Sequence, residues 1–242
     1  IVPSQFATDR VYVAVSGINY DDLGSHVYCS EDQGRSWRSI SSNLPAEPAN
    51  IIVEDPFHEN VLFVGTFRGI YVSKDRGKSW SLFGNDLPTC SVADIVIHQR
   101  SRDMIVATHG RGVYRTNLAE FYELVAKPEL IFSDYLFPIP TAVLPKLGDT
   151  RVGLNFRPFE KLNITFWLQG ESQEVTFSVS DKEDVVASFS LAAQHGLNQM
   201  RWDLATSQEE SLQPYFTNYK KYLKPGSYTI QMSTEGNQAT LE

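Results

Sequence analysis

Cysteine is scarce: Cys29 and Cys90 are the two in 242 residues. That count supplies neither a disulfide framework nor a set of zinc ligands, so both read as small buried apolar residues and the redox compartment stays open. No apolar run approaches the ~18 residues of a bilayer-crossing helix, which excludes a helical membrane span. Basic residues are outnumbered, 21 Lys and Arg against 29 Asp and Glu, for a formal net charge of −8. A pI near 5.2 argues against the concentrated basic face that phosphate backbones require, so nucleic acid is not an expected partner. There is no Walker loop, dinucleotide fingerprint, HExxH or Ser-His-Asp signature. Gly24, Gly65, Gly69, Gly110 and Gly112 read as turn glycines without phosphate-loop spacing. No cofactor, no metal and no catalytic residue is expected. The chain starts at Ile1-Val2-Pro3-Ser4 without methionine, charged n-region or apolar h-region, and so reads as a mature product or a fragment.

What is present is a folded composition, 42% hydrophobic and 12% aromatic, in a length that fits one large β-domain or two ordinary ones. The strongest signal is an internal repeat. Ser30-Glu31-Asp32-Gln33-Gly34-Arg35-Ser36-Trp37 recurs as Ser73-Lys74-Asp75-Arg76-Gly77-Lys78-Ser79-Trp80, a step of 43 residues. The same step relates Tyr28, Tyr71 and Tyr114, Arg68-Gly69 and Arg111-Gly112, and Ile52-Val53 and Ile95-Val96. A period of about 40–45 residues with several short β-rich runs is that of a propeller blade.

Within one unit, residues 50–54, 61–67, 69–73 and 79–83 are four short strands separated by turn residues. In the eight-residue motif the aspartate can accept backbone N–H bonds across a turn, the glycine can take positive φ, and the tryptophan can pack beneath the hairpin. Ser30, Asp32, Gly34 and Trp37, with Ser73, Asp75, Gly77 and Trp80, are therefore structural staples. A catalytic acid has no reason to recur in each blade.

Ser-x-Asp-x-Gly-x-x-Trp resembles the Asp-box, or bacterial neuraminidase repeat. Together with Ser41-Ser42-Asn43-Leu44-Pro45, Val64-Gly65-Thr66, Asp86-Leu87-Pro88 and Thr108-His109-Gly110-Arg111-Gly112-Val113-Tyr114, residues 1–125 resemble the last blades of large Asp-box propellers. These include sortilin-type receptors, plant photosystem assembly-factor propellers and oligoxyloglucan-cleaving glycoside hydrolases. Long bacterial sortilin-like and glycosyl-hydrolase-like proteins are the most similar in wording. The resemblance implies an all-β chain with a partial β-propeller of two to three four-stranded blades over residues 1–118. Closed propellers need about four to eight blades. Missing N-terminal blades or a second chain are thus expected partners, with an open sheet stack as a further arrangement.

After Thr116 the pattern stops. Phe121, Leu124 and Val125 at helical spacing predict a short helix over 119–126. Pro128, Pro138, Pro140 and Pro145 suggest an ordered linker, so that 119–149 forms a helix and Pro-rich connection. From 150 to 242, strands are expected over 151–156, 162–168, 174–180, 185–191, 198–203 and 226–233, at the spacing of an antiparallel β-sandwich. The wording of residues 196–204 and 223–230 resembles the immunoglobulin- or fibronectin-like modules that follow many bacterial secreted proteins. Trp202 reads as a sandwich core residue. The insertion 206–222, with Tyr215, Phe216, Tyr219 and Tyr222, reads as a surface excursion over the propeller or a partner.

In a four-strand blade the second-to-third and fourth-to-first connections share one end, and the repeated turn lies at the other. Relatives of this kind generally bind at the former. That end would carry residues 19–22, 43–48, 67–68, 85–89 and 109–111. Asp21 and Asp22 could supply an acid or metal ligand, or simply be solvated. His109 and Arg111 could hold an anionic or sugar group, or bond loop carbonyls. Arg68 and Arg111 occupy equivalent positions, which a turn role would explain. The resemblance implies a secreted or periplasmic binding or scaffold module for a peptide, protein or glycan. The alternative it implies is the non-catalytic C-terminal part of a glycoside hydrolase.

Overall fold

The computed structural model describes residues 1–84, 87–142, 161–171, 173–182, 184–209, 220–234 and 237–241. The chain divides into two units, Ile1–Val125 and Ala126–Glu242. In the first, short β-branched runs separated by tight turns pair with their sequence neighbours. Strands β1 (Val2–Pro3), β2 (Val11–Val15), β3 (His26–Ser30) and β4 (Arg38–Ser39) form one antiparallel meander. A second contains β5 (Ala49–Glu54), β6 (Leu62–Thr66), β7 (Ile70–Ser73) and β8 (Ser81–Phe83). A third has β9 (Val92–His98), β10 (Asp103–Thr108) and β11 (Val113–Asn117). This is the partial propeller: two four-stranded blades and one of three described strands.

Strand β6 of the middle blade is buried from both sides. On β6, Leu62 and Val64 pack with Tyr12, Val27, Ile52 and Trp80, while Phe63 packs with Ile95, Met104, Val106 and Phe121. A strand covered on both faces has no polar alternation to show, which is why residues 61–67 read as a continuous apolar run. Gly65, expected in a turn, lies inside this strand. A Cβ there would sit 2.6 Å from Val92 Cγ1, so glycine is what lets the third blade approach.

Helix α1 (Ala119–Ala126) follows β11 directly, its first turn starting under the Asn117 side chain, which accepts the Ala119 N–H at 3.0 Å. Phe121 meets Phe63 and Phe83 at ring-centroid distances of 5.7 and 5.4 Å. Tyr122, absent from the expected apolar face, is buried as well, and its hydroxyl donates to Asp55 Oδ2 at 2.6 Å. Asp55 is fully buried; its Oδ1 accepts the Phe57 and His58 amides, both at 2.9 Å, and lies 3.1 Å from His58 Nδ1. The helix thus packs within the first unit.

In the second unit, β12 (Tyr135–Leu136), β13 (Leu162–Leu168) and β16 (Gly196–Trp202) form one sheet. Another is β15 (Asp184–Ala193), β14 (Gln173–Asp181), β19 (Thr229–Thr234) and β20 (Asn237–Leu241) in that order. Ile164, Phe166 and Leu168 of the first sheet share one core with Val175, Phe177, Val179 and Met232 of the second, and with Trp202. This is an antiparallel β-sandwich. Strands β17 (Ala205–Glu209) and β18 (Lys220–Tyr222) pair as a ribbon where a surface excursion was expected. The Pro-rich segment also differs from expectation. Its residues Tyr135 and Leu136 pair with Trp167 and Phe166 as an edge strand of the sandwich rather than standing apart as a linker. Such a strand is compatible with the prolines because it ends before Pro138. The strand expected over 151–156, together with Tyr215, Phe216 and Tyr219, lies outside the described residues, as does the side chain of Tyr222.

Candidate functional site

The repeated motif builds the same turn twice, between β3 and β4 and between β7 and β8. In the first, Ser30 Oγ donates to Asp32 Oδ1 at 2.8 Å and accepts the Gly34 N–H at 2.8 Å. Asp32 also accepts the Ser36 amide and hydroxyl at 2.8 and 2.6 Å. In the second, the corresponding bonds join Ser73, Asp75, Gly77 and Ser79 at 2.7, 2.7, 2.9 and 2.6 Å. Gly34 and Gly77 have φ of 86° and 80°, which a Cβ would penalise. Both aspartates thus serve the turn, saturated by local donors.

The same donors set their acidity. The Ser36 hydroxyl and amide, with Ser30, hold the Asp32 carboxyl down to about 2. For Asp75 burial pushes upward, but the Ser79 and Ser73 hydrogen bonds outweigh it and leave it below the ordinary range. A carboxyl that is more acidic folded than unfolded stabilises the fold above its unfolded pKa of about 3.9 and loses that contribution as pH falls below it. We expect the urea midpoint to drop between pH 5 and pH 2, the range from above the unfolded value to the folded Asp32 value, and the drop to shrink in the double variant Asp32→Asn, Asp75→Asn. An unchanged drop in that variant would show that other groups control acid unfolding.

Strand direction places the β2–β3, β6–β7 and β10–β11 loops, and the connections between blades, at the other end. Asp21 takes left-handed backbone, φ 55°, and closes a short 3₁₀ turn over Ile18–Tyr20. Asp22 Oδ1 accepts the Gly24 N–H at 2.9 Å and its Oδ2 lies 2.7 Å from His26 Nε2; these two contacts hold its carboxyl below the ordinary range. Asp22 is therefore an ordering group of its own loop. The Ser25 hydroxyl reaches the carbonyls of Pro45 and Glu47, at 2.8 and 2.5 Å. Thr66 Oγ1 donates to Glu47 Oε2 at 2.8 Å and accepts the Arg68 N–H at 3.3 Å. Asn50 Nδ2 donates to Ser91 Oγ at 3.2 Å, and the His109 backbone N–H to Ser91 O at 2.8 Å. The side chains of Arg68, His109 and Arg111 are exposed. Asn85 and Asp86, expected at this end, lie outside the described residues. No group of three His, Cys, Asp or Glu able to hold a metal ion occurs among the described residues.

Residues 25–123 match the family described as Sortilin, neurotensin receptor 3. The blade unit is similar to the sortilin Vps10 propeller. Among solved structures the chain is similar to the GH74 enzyme of Niastella koreensis, with 13% identity, a TM-score of 0.39, and 83% of this chain and 29% of that chain covered. It is also similar to the GH74 xyloglucanase of Xanthomonas campestris, with 11% identity, a TM-score of 0.37, and coverage of 80% and 28%. For an ancestral GH74 enzyme the values are 18%, 0.37, 100% and 30%. The chain spans less than a third of each of these. No curated protein matches it. Among the described residues no helix is long and apolar enough to cross a membrane.

Within the sortilin-like unit, two features at the loop end escape a residue-by-residue reading. Glu47, on the connection 43–48 expected at the binding end, is buried to 8% exposure. One repeat later the sequence has the buried Cys90, so the apolar counterpart of this acid was the available signal. The step of 43 also aligns Thr66 with His109, whereas the bonding equates Thr66 with Thr108. Thr66 N–H donates to Gly69 O at 2.9 Å, and Thr108 N–H to Gly112 O at 3.1 Å. The third-blade loop is one residue longer, and Gly110 and Gly112 absorb the extra turn with φ of 83° and 86°.

Proposed function

We propose that this chain is part of a secreted or periplasmic Asp-box propeller protein that binds a peptide, protein or glycan at the end opposite its Asp-box turns. The carrying observation is the layer of hydrogen bonds there. Ser25, Glu47, Thr66, Asn50 and Ser91 tie the loops and connections of three successive blades together, while Asp21, Arg68, His109 and Arg111 stay exposed. A rigid loop layer that presents charged donors and acceptors lowers the ordering cost of binding a polar ligand. The sandwich acts as an immunoglobulin-like spacer, and further blades complete the ring.

The test is calorimetric titration with xyloglucan oligosaccharides and with a peptide library, using the wild type and the double variant Arg68→Ala, Arg111→Ala. Loss of two charged donors should weaken binding about tenfold or more, as expected from ~1.5–3 kcal/mol for a hydrogen bond to a charged group, with thermal stability unchanged. Unaltered affinity sinks the assignment to this end. Turnover of a chromogenic glycoside, abolished by neutralising Asp21 or Glu47, would replace the binding role with hydrolysis.

A further inference from the structure

The two turns share their internal hydrogen bonds and differ in what covers their tryptophans. Trp80 is 5% exposed and Trp37 is 44% exposed. Trp80 is seated by the connection that leaves β4 of the preceding blade. Asn43 Oδ1 accepts the Trp80 backbone N–H and Asn43 Nδ2 donates to Trp80 O, both at 2.8 Å. The indole N–H donates to Ile40 O at 2.7 Å, and Ser42 Oγ donates to Lys78 O at 2.9 Å. The fit is close enough that a Cβ on Gly77 would fall 2.8 Å from Ile40 Cβ. None of these partners has a counterpart at Trp37 among the described residues. On the same blade Phe6 and Val15 are also exposed, to 43% and 46%.

We propose that Trp37 is the docking point of a further blade of the same repeat. Its seat is a connection with the chemistry of Ile40-Ser41-Ser42-Asn43, an aliphatic residue followed three positions on by a primary amide. The inference rests on the propeller reading above and names the partner that the first blade takes. The argument is continuity: the interface between the first and second blades, moved back by one repeat, covers Trp37 and supplies the carbonyl and amide that its indole and main chain match. A second copy of this chain fits less well. Its last blade passes from β11 into α1 without such a connection, and one repeat after Asn43 the sequence carries Asp86, a carboxylate with no hydrogen to donate to a carbonyl.

Tryptophan oxidation by N-bromosuccinimide, read by peptide mass spectrometry, tests this. In the 242-residue chain Trp37 is expected to react readily and Trp80 slowly. In the protein as cells make it, Trp37 labelling should fall to the level of Trp80; labelling that stays high overturns the proposal. Protection gained by the 242-residue chain alone on concentration, together with dimeric elution, also overturns it and assigns the surface to a second copy. Asn43→Asp tests the seat itself. It removes the donor to Trp80 O and should raise Trp80 labelling toward that of Trp37, and continued protection would refute the chemistry assigned to the connection. The binding end is read separately, so failure here with ligand affinity intact rejects the docking surface alone.

Discussion

Trp80→Ala is expected to destabilise the blade unit by about 3–5 kcal/mol, the usual range for removing a large buried aromatic. Trp37→Ala, at the same position of the same turn, should cost the 242-residue chain less than ~1 kcal/mol, as surface changes generally do. Both variants keep the Ser-Asp-Gly hydrogen bonds, so the difference isolates what lies outside the turn. Trp80 loses contacts with the core that contains Ile40, Ile52 and Leu62, and its indole bond to the Ile40 carbonyl. Urea unfolding followed by circular dichroism measures both. Equal losses would mean that the tryptophan acts within its own hairpin, as its sequence position alone suggests.

Asp55→Ala should cost a comparable ~3–5 kcal/mol, because it strands several buried donors at once. The Phe57 and His58 amides and the Tyr122 hydroxyl would all lose their acceptor. Tyr122→Phe leaves the carboxylate with its amide donors and should cost only about 1–2 kcal/mol. Burial, reinforced by the Asp55 hydrogen bond, pushes the Tyr122 hydroxyl well above its ordinary range, so it remains a donor throughout the working pH range. Hydrogen exchange localises the effect: the amides of α1 should lose protection in Asp55→Ala well before those of β13 and β14. Uniform loss across both units would show that Asp55 does not act as the helix latch.

Much of the blade unit was legible in the sequence because its information is local and repeated. The strands of the middle blade were expected at 50–54, 61–67, 69–73 and 79–83 and occur within a few residues of those bounds. The turn residues that separate them act through their own backbone preferences. Helix α1 was legible for the same reason. Long-range pairing was not. Nothing local in Tyr135-Leu136 marks it as an edge strand, since its pairing depends on β13 some 30 residues later. At the loop end, charge marked the exposed Arg68 and Arg111 but not the buried Glu47, whose setting depends on Thr66 in the next blade. Repeat arithmetic likewise hid the contrast between Trp37 and Trp80, which are identical in motif and differ only in their neighbours.

The double burial of β6 has a practical consequence for anyone redesigning this protein. A strand with no water-facing side tolerates no new polar side chain, so sequence diversity near β6 must enter through the loops at its ends. The β10–β11 loop already accommodates one more residue than the β6–β7 loop while keeping the same threonine-to-glycine closure. Grafted recognition segments inserted between Thr66 and Gly69, or between Thr108 and Gly112, would therefore leave the scaffold's melting behaviour largely untouched.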